Sequence, residues 1–214
     1  MFVAEAGCLY PFRRDVRPPP ERENAKMRRG KDLHVAIERA LLSQPAVGDR
    51  PEVLHAYRWA TERWSVLHCE TPIGIDPTNG TARQYDTKDD IPDDHVAVVV
   101  DVHSREAAAV YDWKTGSQFS SFSYAPQVKL NGYAVAALLG VEDVESGLAY
   151  VSAHGITAKS WLLDAFDLAR QRQQLRLWAA QAPTAEPTPC AACKWCPARA
   201  ICPAMVDKEA KWTA

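Results

Sequence analysis

The chain has 214 residues, 47% of them apolar and 24% charged, with a formal net charge of −2. These proportions exclude a disordered, collagenous or disulfide-dense chain, and the near-neutral balance excludes nucleic-acid binding by bulk charge alone. No apolar run approaches the roughly 18 residues a membrane helix needs, and Val96–Val100 is strand-sized. The opening MFVAEAGCLYPFRRD has no basic segment followed by an apolar stretch, so no secretory signal is read there and a cytoplasmic protein without a membrane partner is expected.

Charge is unevenly spread. Residues 11–39 carry nine Lys/Arg against five acids, whereas residues 70–112 carry ten acids and three bases. A basic entry beside an acidic centre suits a site that holds a divalent metal while gripping a polyanion; ordinary solvated faces would produce the same pattern.

In chain order, residues 1–25 read as irregular, with a Pro18-Pro19-Pro20 stop. Leu33, Ile37, Ala40 and Leu41 recur at helical spacing and predict a helix over Ala25–Leu42. Pro51 opens a second helix over Glu52–Trp64. Ser65–Glu70 reads as a strand, and the acidic Ile73–Asp94 as an exposed loop or long hairpin. Val96–His103 and Ala107–Trp113 read as strands joined by a tight turn at Ser104-Arg105-Glu106. A helix over Pro126–Leu139 stops at Gly140, a strand covers Gly147–Ala153, and a long helix covers Lys159–Ala182. Thr184–Pro189 is a linker into a cysteine-rich tail. The domain reading is one unit over 1–214: an N-terminal segment 1–25 with Cys8, a core 26–183, and a linker and cysteine tail 184–214.

The sharpest chemical feature is Asp112-Trp113-Lys114, at the end of one apolar strand, with Asp101 on the strand before it. A hairpin brings Asp101 and Asp112 together, and two close carboxylates repel unless a cation lies between them; oxygen ligands favour Mg²⁺ or Mn²⁺. Lys114 leaves the strand on the same face as Asp112. Paired acids with an ammonium alongside are what metal-assisted phosphodiester hydrolysis needs, although a bare Asp-x-Lys on a surface hairpin is common. Asp86 is a second candidate for the first acid, and Glu70 reads as a further acid near the site or a solvated surface group.

With Gly30-Lys31-Asp32-Leu33-His34 on the first helix, Asp101, Asp112-Trp113-Lys114, and Gln127 followed by Tyr133, the chain resembles the RecB-like branch of the PD-(D/E)XK nucleases, which includes the CRISPR-associated iron–sulfur exonucleases. Val98 stands where that branch often has Gly, and Asn131 where its Tyr usually follows Gln. The resemblance implies an α/β, restriction-endonuclease-like core, a mixed sheet flanked by helices with a C-terminal cysteine cluster tail. It implies a Mg²⁺ or Mn²⁺ site made by His34, Asp101, Asp112 and the Trp113 carbonyl, with Lys114 catalytic and Gln127 and Tyr133 assisting. Hydrolysis of DNA, single-stranded or at frayed ends, is implied as well, by an exonuclease working in CRISPR spacer acquisition beside an integrase, or in recombination and repair beside partner proteins of that pathway.

Four of six cysteines, Cys190, Cys193, Cys196 and Cys202, lie in the pattern C-x2-C-x2-C-x5-C, which in a cytoplasmic chain points to metal; spacing alone fits zinc or an iron–sulfur cluster. The resemblance implies a 4Fe–4S cluster on Cys8, Cys193, Cys196 and Cys202, with a local zinc site including Cys190 as the alternative. Cys69 reads as a small buried hydrophobe, most tryptophans as packing residues, Trp195 as a shield for the cluster, and Arg13, Arg14, Arg28 and Arg29 as candidate phosphate contacts. A catalytically inactive DNA-binding scaffold of this fold and a zinc-bearing DNA-binding module are the competing readings.

Overall fold

The computed structural model describes residues 8–9, 16, 25–43, 50–115, 121–190, 193 and 196–205. The chain divides into two compact units, Asn24–Arg172 and a second built from Met1–Glu23 with Gln173–Ala214.

In the larger unit, α1 (Ala25–Ser43) buries Leu33, Ile37 and Ala40, one stripe at helical spacing, against Val53, Ala56 and Ala60 of α2 (Pro51–Thr61). Pro51 fits the first turn of α2, where its missing N–H has no helical partner to lose. Trp59 meets Trp64, Tyr111 and Trp113 edge to face at 5.4, 5.0 and 5.5 Å, and this aromatic layer joins both helices to one side of the sheet.

Six strands form a mixed sheet in the order β2-β1-β3-β4-β5-β6: β1 (His68–Ile75), β2 (Ala82–Gln84), β3 (Val96–Ser104), β4 (Ala109–Thr115), β5 (Val144–Ser152) and β6 (Gly155–Leu163). Every pairing is antiparallel except β4 with β5, where Asp112 lies opposite Leu148. A parallel pair needs a crossover, and α3 (Ser121–Leu139) supplies it. Ala149 and Val151 of β5 pack toward α1 and α2, whereas Leu148 and Tyr150 pack with Val128 of α3. This is the α/β core expected from the sequence, with the β3–β4 hairpin at its centre.

Three expectations need correction. Strand β1 runs through Ile75, beyond the expected end at Glu70, because Ile73 and Ile75 are fully buried and pair with β3, while Tyr85 and Ile91 pack over Gly74. The segment expected as an exposed loop therefore contributes to β1 and, through β2, to the sheet edge. The helix expected from Lys159 begins only at Ala165, as α4 (Ala165–Gln181). Residues 155–163 instead form β6, turning back on β5 at Gly155, and Asp164 starts the helix by accepting the Asp167 N–H at 2.9 Å. Helix α3 starts five residues before Pro126 and carries that proline within its span. Among the described residues, no helix is long and apolar enough to cross a membrane.

The β1–β2 turn is held by its own side chains. Asp76 accepts the Thr78 N–H at 2.8 Å and the Asn79 side-chain amide at 2.7 Å, and Gly80 takes a left-handed φ of 76°. The turn is tied down as well: the Tyr133 hydroxyl donates to the Gly80 carbonyl at 2.9 Å, and Arg172 donates to the Asn79 carbonyl. These contacts fasten the acidic segment to α3 and α4.

Candidate active site

Asp112, on β4, is almost wholly buried, and each of its oxygens is engaged. Lys114 Nζ lies 2.5 Å from Oδ2, and Gln127 Nε2 donates to Oδ1 at 2.5 Å. Lys114 also donates to Gln127 Oε1 at 3.1 Å and lies 4.6 Å above the Tyr124 ring. The intervening Trp113 points its side chain into the α1–α2 core, which fixes the backbone between the two catalytic candidates.

That fixed backbone serves the site. The Trp113 N–H donates to Asp101 Oδ2 at 2.7 Å, and His34 on α1 hydrogen-bonds the Trp113 backbone. His34 Nδ1 lies 3.5 Å from the same Asp101 oxygen. Gly30 explains how α1 comes so near: a Cβ there would stand 3.3 Å from Thr115 Oγ1 at the end of β4, one turn before His34. The structure thus brings together His34, Asp101, Asp112, the Trp113 backbone, Lys114 and Gln127, from four elements.

Glu70 joins them. The β1–β3 register pairs Cys69 with Val102 and Thr71 with Val100, which sets Glu70 opposite Asp101. Ligand atoms of His34, Glu70 and Asp101 lie within 4.8 Å of one another. The sequence leaves Glu70 as either an acid near the site or a solvated surface group; the structure half-buries it at the site. Its local signal is weak, because only the β1–β3 register reveals the neighbour.

The electrostatics follow from this crowding. Burial, then the neighbouring Asp112 charge, pushes the Asp101 carboxyl up to about 8. Burial also raises Asp112 against the pull of Lys114, and raises Glu70 with help from Glu38 and Asp112. Burial lowers His34, which keeps its imidazole neutral and able to ligate. Carboxylates that resist ionising side by side, a neutral imidazole and a backbone carbonyl form a donor set that fits Mg²⁺ or, with the nitrogen ligand, Mn²⁺.

Tyr133 lies elsewhere: its hydroxyl is committed to Gly80, six residues along α3 from Gln127. Asp86 is exposed beyond β2, whereas Asp101 is the acid beside His34. Arg28 and Arg29 are exposed on α1, with Arg29 3.7 Å from Glu52; Arg13, Arg14 and Trp195 lie outside the described residues. Cys69 packs against the α1–α2 core, and burial with nearby acids pushes its thiol up to about 12.

In the smaller unit, Cys8 is buried against Cys190 and Cys196. The Cys193 and Cys190 sulfurs are 3.9 Å apart, and Cys193 Sγ accepts the Cys190 N–H at 3.1 Å. The Ala198 backbone bonds Cys196, whose thiol is raised by burial first and by Cys8, Cys202 and Cys193. No disulfide joins these cysteines. Clustered thiols with N–H donors aimed at sulfur are a donor set suited to a thiolate-bound metal or cluster.

A family model described as "PD-(D/E)XK nuclease superfamily" matches residues 98–203, the stretch from β3 to the cysteine tail that holds Asp101, Asp112, Lys114 and Gln127. A PD-(D/E)XK nuclease superfamily domain is therefore detected in this chain, which implies a metal-dependent nuclease, a phosphodiester hydrolase. Among solved structures, the chain is similar to one titled "Crystal structure of SSO0001", at 16% identity and a TM-score of 0.44, covering 85% of this chain and 72% of that one. No curated protein matches.

Proposed function

We propose that this protein is a Mg²⁺- or Mn²⁺-dependent deoxyribonuclease of the RecB-like kind, an exonuclease acting on single-stranded DNA or DNA ends. The observation that carries this reading is the meeting of His34, Asp101, Asp112 and the Trp113 backbone with Lys114 and Gln127. His34, Asp101, Asp112 and the Trp113 carbonyl would hold the metal. When bound, it supplies Lewis-acid polarisation of the phosphoryl group and a more acidic water. Lys114 sets its ammonium where charge develops on the phosphoryl oxygens, and Gln127, bonded to both Asp112 and Lys114, fixes their orientation. The Trp113 indole, locked in the core, keeps this geometry from relaxing.

Cys8, Cys193, Cys196 and Cys202 hold a 4Fe–4S cluster in this reading, whose contribution is to order the cysteine tail. Clustering of these thiols with N–H donors at two of the sulfurs supports it. Protein purified without oxygen should be brown and carry iron and sulfide. Cys8→Ala should bleach it and Cys190→Ala should not; the reverse pattern, or colourless protein holding zinc, would put a local four-cysteine site in its place.

The substrate assignment is tested by digesting end-labelled single-stranded and duplex DNA with Mn²⁺, Mg²⁺ or EDTA. A ladder shortening from one labelled end of single strands, abolished by EDTA, is expected. Internal cuts in duplex would replace the exonuclease reading with an endonuclease. Such end-trimming fits CRISPR spacer acquisition or recombination and repair, with an integrase or recombination proteins as partners.

A further inference from the structure

We propose that Glu70, contributed by β1, is a further ligand of the divalent cation, additional to the donors that the motif pattern accounts for. This inference rests on the reading of the site as a divalent-metal centre. Three observations carry it, and the first is position. Glu70 lies between Cys69 and Thr71, which pair with Val102 and Val100 on either side of Asp101, and its carboxylate, the His34 ring and the Asp101 carboxylate offer ligand atoms within 4.8 Å of one another. A divalent ion bound by protein oxygens and nitrogens, at roughly 2.0–2.2 Å from each, needs donors spaced on that scale.

The second is the division of partners within the site. Lys114 and Gln127 both engage Asp112, and Asp101 takes the Trp113 N–H. The Glu70 carboxylate has no hydrogen bond or ion pair among the described residues, although it is half-buried beside three other acids, Glu38, Asp101 and Asp112. A carboxylate in that position lacks a positive partner, and the metal ion is the cation that the neighbouring imidazole and carboxylate are arranged to receive.

The third is the backbone. Among the described residues only Glu70 and Ala108 have a positive φ without being glycine, both 44°. Ala108 is in the turn between β3 and β4, where such a conformation is ordinary; Glu70 is inside a strand. The strand departs from its regular path at the one residue whose carboxylate faces the His34–Asp101 group.

The test is Mn²⁺ binding followed by electron paramagnetic resonance, with no DNA present, on wild type, Glu70→Gln and Glu70→Gly. Glycine adopts the left-handed φ freely, so Glu70→Gly removes the carboxylate while easing the backbone and guards against a folding artefact. Glu106→Gln, an acid outside the site bonded to Ser65, is the control. Wild type and Glu106→Gln should bind alike, and both Glu70 variants should bind at least roughly tenfold more weakly at undiminished melting temperature. Wild-type affinity in both Glu70 variants would overturn the assignment and leave the proposed nuclease standing. Absence of Mn²⁺ binding by wild type would overturn the metal centre itself, and Glu70's part with it.

Discussion

Tyr133→Phe separates two roles for a residue that the family pattern would put in the active site. The structure commits its hydroxyl to the Gly80 carbonyl at 2.9 Å, and the side chain is 4% exposed, so no water easily replaces the lost donor. Removing one such neutral hydrogen bond costs about 1 kcal/mol. For a chain of this size that lowers the melting temperature by roughly 2–4 °C. Gly80→Ala attacks the same joint from the other side: its φ of 76° is left-handed, and the new Cβ would stand 2.7 Å from the Tyr133 hydroxyl and would also meet Arg172. It should therefore destabilise more, by roughly 1–3 kcal/mol. Thermal denaturation gives the stability and cleavage of end-labelled DNA gives kcat for the same preparations. Both variants should melt earlier and cut with unchanged kcat below their transitions. A Tyr133→Phe protein that melts like wild type but loses most of its kcat would refute the clasp and return Tyr133 to the catalytic machinery.

His103 predicts acid sensitivity. It is fully buried, stacked on His68 at 4.9 Å, and neither ring nitrogen has a hydrogen-bond partner; burial, then His68 and Arg105, hold it down to about 4. The unfolded chain takes up this proton near pH 6.5 and the native state does not, so stability should fall as pH drops from about 6.5 to 4, by at most about 3 kcal/mol. Urea titrations across that range should show the loss in wild type and a flatter profile in His103→Phe; parallel profiles would contradict the assignment. Asp101 acts with the opposite sign. Its carboxyl is raised to about 8, so the metal-free protein should lose stability as pH rises from about 4 through 8. Asp101→Asn, or saturating Mn²⁺ on wild type, should suppress that loss in melting curves, and a metal-free Asp101→Asn protein no more stable than wild type at pH 8 would count against buried repulsion.

The centre of the fold was legible because its signals are local. The apolar runs around Asp101 and Asp112 are interrupted by a turn too short for anything except a hairpin, and a strand forces Asp112 and Lys114 onto one face. Leu33, Ile37 and Ala40 place His34 by helical spacing alone. What was missed depends on distant neighbours. Strand β6 is an edge strand with most of its side chains exposed, so residues 159–163 carry no alternating pattern to separate them from the helix that follows. The acid near Cys69 gains its meaning from a β1–β3 register that the polar, proline-bearing segment around it conceals. Tyr133 shows the same limit on a helix: six residues from Gln127 it points about 120° away around the axis, whereas four residues, at Asn131, would turn it only about 40°. The match of two residue types was visible in the sequence, but their facing was set by the helix.

The account stands most directly on the role of Lys114. The deciding measurement is the initial rate of Mn²⁺-dependent cleavage of end-labelled single-stranded DNA by wild type and Lys114→Ala, both confirmed to be folded by their melting curves. The lysine's ammonium is 2.5 Å from Asp112 and should matter chiefly where phosphoryl charge develops, so the rate should fall by roughly 10²–10³-fold with Mn²⁺ binding retained. Equal cleavage by the variant, or wild-type cleavage that continues in EDTA, would contradict it.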